Sequence, residues 1–235
     1  MKKFTLFCST LATLALSTAV QAAPITIHSI SADWLPTVLI NGASATYFDT
    51  DGIAGNEEIR WGTAAGGAGI SGYRFDSNAT PLSAEIDENF SLGTFTHNNF
   101  PVLPPSLDYA HLNIGMNFTL GDGTNLSKTF SFLFDHNETD NSGGNCCNDL
   151  VSIGDLVTTD VFTIGGTTYT LSLKGFLQNG SIVDTFSTVE NMANEASLYG
   201  VFTEYRKEVP EPTPMLLLGI GLLGLAGARK LKSKA

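Results

Sequence analysis

His111-Leu112-Asn113-Ile114-Gly115-Met116-Asn117-Phe118-Thr119-Leu120 places an apolar side chain at every even position and a polar or small one between them. Successive side chains of an extended chain point to opposite faces, so this decamer has one apolar and one polar face only as a half-buried antiparallel strand. The same period recurs at Phe130, Phe132 and Phe134, and again where Tyr169, Leu171 and Leu173 alternate with Thr168, Thr170, Ser172 and Lys174. Asn179-Gly180 lies between two apolar runs, the pairing preferred by a type I′ turn because both central residues need positive φ. A hairpin is expected there. Further strands are expected over 25–30, 59–62, 72–75, 90–96, 161–164 and 196–205, and one short helix around 190–194.

Many short alternating strands, joined by Gly, Asn, Asp and Pro turns, call for two packed sheets rather than a parallel α/β layer. The expected fold is all-β, an antiparallel β-sandwich, with the jelly roll as one form of it. No tandem repeat of fixed period is visible, and no low-complexity linker splits the core.

The two ends read as targeting segments. Met1-Lys2-Lys3 is a basic start, 4–16 is mostly apolar, and Ser17-Thr18-Ala19-Val20-Gln21-Ala22 supplies the small residues of a signal-peptidase site. Residues 1–22 are therefore expected to be a cleaved signal peptide. At the other end stand Val209-Pro210-Glu211-Pro212-Thr213-Pro214, an apolar run from Met215 to Ala228, and Arg229-Lys230-Leu231-Lys232-Ser233-Lys234. Three prolines fix φ and remove backbone donors, leaving an extended stretch that a protease can enter. The uncharged run suits a lipid-facing helix over about 214–228, although its 14 residues span only about 21 Å. Extending the count from Val209 to Leu231 gives about 34 Å, provided the first cations snorkel to the headgroups. The alternative reading of the run is a buried core helix. Four cations close behind it place the C-terminus on the cytoplasmic side and the rest of the chain outside.

What remains is one domain, 23–209. It holds 6 of the 12 basic residues and 22 of the 23 acids, a net charge of −16. Such a surface repels nucleic acid and anionic lipid, leaving cations, neutral glycans or basic partners as contacts. With Cys8 in the signal peptide, the domain keeps only Cys146-Cys147. In an oxidising compartment these adjacent thiols have three outcomes open: a strained vicinal disulfide, pairing between molecules, or two free thiols. No further cysteine completes a zinc set around them.

Three patterns carry candidate chemistry. Thr96-His97-Asn98-Asn99 runs off a strand toward Pro101, where His97 and Asn99 either close a turn by Asx-type bonds or converge with His136 and Glu138 as a glycan or cation site. Asp49, Asp51 and Glu58 fall at the third, fifth and twelfth positions of a calcium-loop alignment. Its first position is Tyr47, so an EF-hand is not expected, and the choice lies between a calcium-stapled surface loop and solvated turn residues. Paired acids such as Glu85 and Glu88 are the raw material of a glycosidase. No nucleophile elbow, metalloprotease helix or cysteine nucleophile signature accompanies them, so no catalytic residue is assigned. Gly67-Ala68-Gly69-Ile70-Ser71-Gly72 spells a dinucleotide motif but precedes a strand rather than a helix, which excludes that reading.

The tripartite tail resembles the PEP-CTERM sorting signal of Gram-negative bacteria, with its motif at Pro210, Glu211 and Pro212. That resemblance implies export by the Sec machinery, a membrane-anchored precursor with a periplasmic core, processing by an exosortase, and delivery to the cell surface or beyond. Thr96-His97-Asn98-Asn99, with Glu58-Ile59-Arg60-Trp61-Gly62, Ser71-Gly72-Tyr73-Arg74-Phe75 and His136-Asn137-Glu138-Thr139-Asp140-Asn141, resembles the THxN group of such proteins. The group implies a class and an address without a reaction. A structural or adhesive role linked to exopolysaccharide or biofilm is the first expectation, a carbohydrate- or calcium-binding module the second, and a secreted glycan-active hydrolase the third.

Overall fold

The structure, a computed structural model, describes residues 24–35, 38–39, 46–47, 56–65, 69–139, 148–154, 161–164 and 167–205. Within them the chain is all-β. One sheet contains β1 (Ile25–Trp34), β2 (Val38–Leu39), β7 (Leu82–Ala84), β10 (Leu107–Thr119), β11 (Asn125–Asn137), β12 (Asp149–Ile153) and β16 (Thr185–Thr188), in the order β16-β12-β11-β10-β1-β7 with β2 also against β10. The other contains β3 (Thr46–Tyr47), β4 (Asn56–Trp61), β6 (Ser71–Ser77), β8 (Asn89–Asn99), β13 (Phe162–Ile164), β14 (Thr167–Gln178), β15 (Ser181–Val183) and β17 (Met192–Tyr205), in the order β13-β14-β17-β8-β6-β4-β3 with β15 against β14. A ribbon of β5 (Thr63–Ala64) and β9 (Val102–Leu103) stands apart. Every paired strand is antiparallel, and the chain crosses between sheets after β7, where Asp87 N–H donates to the Phe202 carbonyl at 2.8 Å.

The alternation that opens the sequence becomes the centre of the first sheet. Leu112, Ile114 and Ala110 lie opposite Phe132, Phe130 and Phe134, and all six are fully buried. Their partners across the core are aromatic. Phe134 stacks on Phe95 of the second sheet at 5.1 Å, Phe118 meets Phe202 at 5.4 Å, and Trp34 sits 5.8 Å from Tyr73. Each such pair contributes about 0.5–1.5 kcal/mol beyond its buried area. The two apolar faces therefore meet in one continuous aromatic core.

Asn179 and Gly180, with φ of 52° and 80°, link β14 to β15, and Gln178 lies opposite Ser181. The helix expected at 190–194 is corrected: Glu190 and Asn191 form a turn, and β17 begins at Met192. The Asn194 side chain is the reason. Its Oδ1 accepts from Val189 N–H at 2.8 Å, and its Nδ2 donates to the carbonyls of Val189 (2.8 Å) and Met192 (3.1 Å). These bonds satisfy backbone groups that a helix would have claimed. Asn191 turns the chain at φ 62°. The expected signal peptide, the C-terminal helix, Asp49, Asp51, Cys146 and Cys147 lie outside the described residues. Among the described residues no helix is long and apolar enough to cross a membrane.

Two glycines with positive φ separate conformational strain from steric strain. Gly123 (φ 88°) lies in the β10–β11 turn with open space where a Cβ would stand, whereas a Cβ on Gly175 (φ 139°) would meet the Val183 carbonyl. Chemical denaturation should give a loss of about 1 kcal/mol for Gly123→Ala and about 3 kcal/mol or more for Gly175→Ala. In the same turn Asp122 accepts the Thr124 N–H at 2.9 Å, a bond that lowers its pKa from the ordinary 3.8. A depressed carboxylate stabilises above the unfolded pKa and loses that contribution as pH falls through the folded one. The stability difference between the native chain and Asp122→Ala should therefore hold steady from neutral pH to about 4 and shrink below it.

A buried polar cluster between the sheets

At one end of the core the inward phase of several strands changes from apolar to polar. On β8 it runs Phe95, His97, Asn99; on β11, Phe132, Phe134, His136; on β12, Val151 is preceded by Asp149; on β16, Phe186 is followed by Thr188. His97, Asn99, Asp149 and Thr188 are 0% exposed and His136 is 8% exposed. Tyr73 on β6, directly opposite His97, and Trp61 on β4 complete the enclosure. The Trp61 ring stacks on His97 at 5.8 Å and meets His136 edge-on at 5.2 Å, and the two imidazoles stand perpendicular at 5.2 Å.

The hydrogen bonds fix more than position. Thr188 Oγ1 donates to the Asp149 carbonyl at 3.2 Å. Its single proton is thereby used, so it accepts from His97 at 2.9 Å and from Asn99 Nδ2 at 3.3 Å. His97 therefore carries its proton on Nδ1, and its Nε2 is a bare lone pair. Burial pushes the His97 pKa well below the usual 6.5, with the His136 and Arg60 charges adding to the effect. The imidazole is neutral. On the facing sheet His136 Nδ1 pairs with the Tyr73 hydroxyl at 2.6 Å and His136 Nε2 lies 3.2 Å from Glu138 Oε2, which also accepts from Ser106 at 2.8 Å. Asp149 Oδ1 takes both the backbone N–H of Thr139 (2.8 Å) and its hydroxyl (2.9 Å). Burial raises the Asp149 pKa to about 6, the Glu138 charge reinforces the rise, and the Thr139 bonds oppose it. Burial likewise holds the Tyr73 hydroxyl well above 10.0, helped by the negative charges of Asp149, Glu138 and Asp135.

The structure thus brings His97, Asn99, His136 and Glu138 together and does not bring Thr96 with them. Thr96 and Asn98 occupy the opposite face of β8, where Asn98 reaches Glu58 at 3.5 Å. Glu58 lies there too, ion-paired with Arg60. The motif is strand rather than turn, because β8 continues through Asn99. The expectation that it closes a turn is corrected accordingly. Glu85 and Glu88 flank the turn between β7 and β8, where Glu88 N–H donates to the Glu85 carbonyl at 3.4 Å. Asp149 and Thr188, the partners that complete the cluster, were not singled out by sequence reading. Their only signal is a polar residue in the apolar phase of a short strand.

Residues 208–230 match the PEP-CTERM protein-sorting motif, which includes Pro210, Glu211 and Pro212. No curated protein matches the chain.

Thr188→Val keeps the shape of the side chain and removes the hydroxyl that three neighbours share. With His97 Nδ1–H left buried and unpaired, chemical denaturation should show a loss of about 2 kcal/mol. Ser187→Ala, one residue earlier, where the hydroxyl accepts an exposed hydrogen bond from Asn148 Nδ2 at 2.9 Å, should change stability by less than about 0.5 kcal/mol.

Proposed function

We propose that this chain, exported and sorted by an exosortase as its PEP-CTERM motif indicates, is a surface protein whose β-sandwich domain serves a structural or adhesive role in an extracellular polysaccharide or biofilm matrix. The motif at 208–230 carries the reading. On this view Sec exports the precursor, the signal peptide is removed after Ala22, and the helix at about 214–228 holds the precursor with its basic tail in the cytoplasm. The extended Pro210-Glu211-Pro212 segment is then cut. A jelly-roll form of the sandwich and membership of the THxN group belong to the same proposal.

The side chains with chemical potential favour a non-catalytic domain. His97, Asn99 and Asp149 are sealed between the sheets, so none offers a polar edge to a sugar or an attacking group to a substrate in solvent. A net charge of −16 over 23–209 suits a hydrated matrix, where like-charged chains stay dispersed and bind neutral polymers or cations.

Mass spectrometry of the chain from cells with and without the exosortase tests the sorting step. We expect a C-terminus near Pro210–Pro212 and surface location in the first, and a membrane-retained chain ending at Ala235 in the second. An identical C-terminus in both cell types would overturn processing. For the matrix role, cells lacking this chain should lose adhesion and matrix-bound polysaccharide; unchanged adhesion would remove it.

A further inference from the structure

The cluster between the sheets contains more acceptors than the protein supplies donors. His97 Nε2, Asp149 Oδ2, Glu138 Oε1 and Asn99 Oδ1 are all buried and have no hydrogen-bond partner. Such atoms normally cost about 1–3 kcal/mol each, and more when charged. Ligand atoms of His97, His136 and Asp149 lie within 4.8 Å of one another, and so do those of Glu138, Asp149 and Glu190. Asp149 belongs to both groups. Among the described residues no lysine or arginine pairs with Asp149 or Glu138.

We propose that His97, His136 and Asp149 bind a divalent first-row transition metal ion of the zinc type, which cross-links the two sheets, with Glu138 as the adjoining carboxylate beside His136 and Asp149. His97 comes from the second sheet, while His136 and Asp149 come from the first and Glu138 follows β11 directly. Each histidine has its Nδ1 anchored on a hydroxyl, Thr188 for His97 and Tyr73 for His136, which leaves Nε2 as the nitrogen available to an ion. A hydrogen bond on the far nitrogen is what orients a metal-bound imidazole and fixes its tautomer. Asp149 is arranged in the same way, with Oδ1 held by Thr139 and Oδ2 left over. The 3.2 Å between His136 Nε2 and Glu138 Oε2 is also a ligand-to-ligand distance, since bonds of about 2.0–2.2 Å to one ion put neighbouring donors about 3–3.5 Å apart.

The donor set selects the ion. Two imidazoles with carboxylates and no thiolate suit zinc and its neighbours, whereas calcium and magnesium take oxygen alone. Glu190 supplies a further carboxylate on the Glu138 side of Asp149. Trp61 and Tyr73 pack over His97 and His136, which suits an ion with a structural role.

The inference does not rest on the sorting reading and is tested on the untagged full chain purified in detergent. After treatment with a chelator and equilibration with zinc, elemental analysis should find about one tightly held ion per chain, and the unfolding midpoint should rise with free zinc. Cobalt in place of zinc should give visible ligand-field bands from mixed nitrogen and oxygen donors. His97→Gln and Asp149→Asn should each weaken zinc binding at least about tenfold, and Thr188→Val, acting through His97, about tenfold. Thr96→Val, on the other face of β8, should leave it unchanged. A folded native chain that retains neither zinc, cobalt nor manganese, with no shift of its midpoint, would overturn the proposal; so would stoichiometric displacement of zinc by millimolar calcium, or equal binding by folded His97→Gln and Asp149→Asn. If those variants do not fold, the native-chain titration and the cobalt spectrum decide alone.

Discussion

Two buried hydroxyls tie the sheets together, Thr188 of one to His97 of the other and Tyr73 of the second to His136 of the first. Asn99 adds a further bond to Thr188, and most of the remaining interface is aromatic and aliphatic. Apolar contact is strong but non-directional, so an interface of phenylalanines alone would tolerate several ways of sliding one sheet over the other. A hydrogen bond buried in low dielectric has no such latitude, because displacement by an ångström or two leaves both partners desolvated and unpaired. The polar end of the core thus fixes the mutual placement of the sheets, and the aromatic remainder supplies most of the burial.

Most of the strand pattern was legible because burial on one face and solvent on the other impose period two directly on the chain. Leu112 to Leu120 and Phe130 to Phe134 announced their strands in this way, while their pairing is seen only in the structure. Asn179-Gly180 was legible for a different reason, since few residue pairs accept two positive φ values in succession. The segment 190–194 misled because Glu190, Met192 and Ala193 have reasonable helical propensity, and propensity carries no information about the Asn194 side chain folding back on the preceding turn.

The candidate cluster was half legible. His97, Asn99, His136 and Glu138 sit in stretches that stood out by residue type, and so do Trp61, Tyr73 and Thr139; all of these converge at one place although up to 78 positions separate Trp61 from Thr139. Asp149 and Thr188 escaped because their strands are only five and four residues long, too short for a periodicity to mark one member as out of phase. Thr96 stood out for its place in a motif and yet faces the other way, since adjacent strand residues cannot share a face. Motif reading joins neighbours in sequence; the sheet joins every second residue.

Burying Asp149 and Glu138 beside each other is unfavourable, and the raised pKa of Asp149 records the cost of that burial. The same arrangement reverses sign when a cation stands among the acceptors, because the repulsion between Asp149 and Glu138 becomes attraction of both to a common centre. His97 fits this second state better than the first: its proton is committed to Thr188, and its buried Nε2 has no hydrogen-bond partner. A neutral, outward-protonated imidazole beside acidic side chains is a poor hydrogen-bonding solution and a good ligand set. The geometry is economical only if the position between the sheets belongs to an ion.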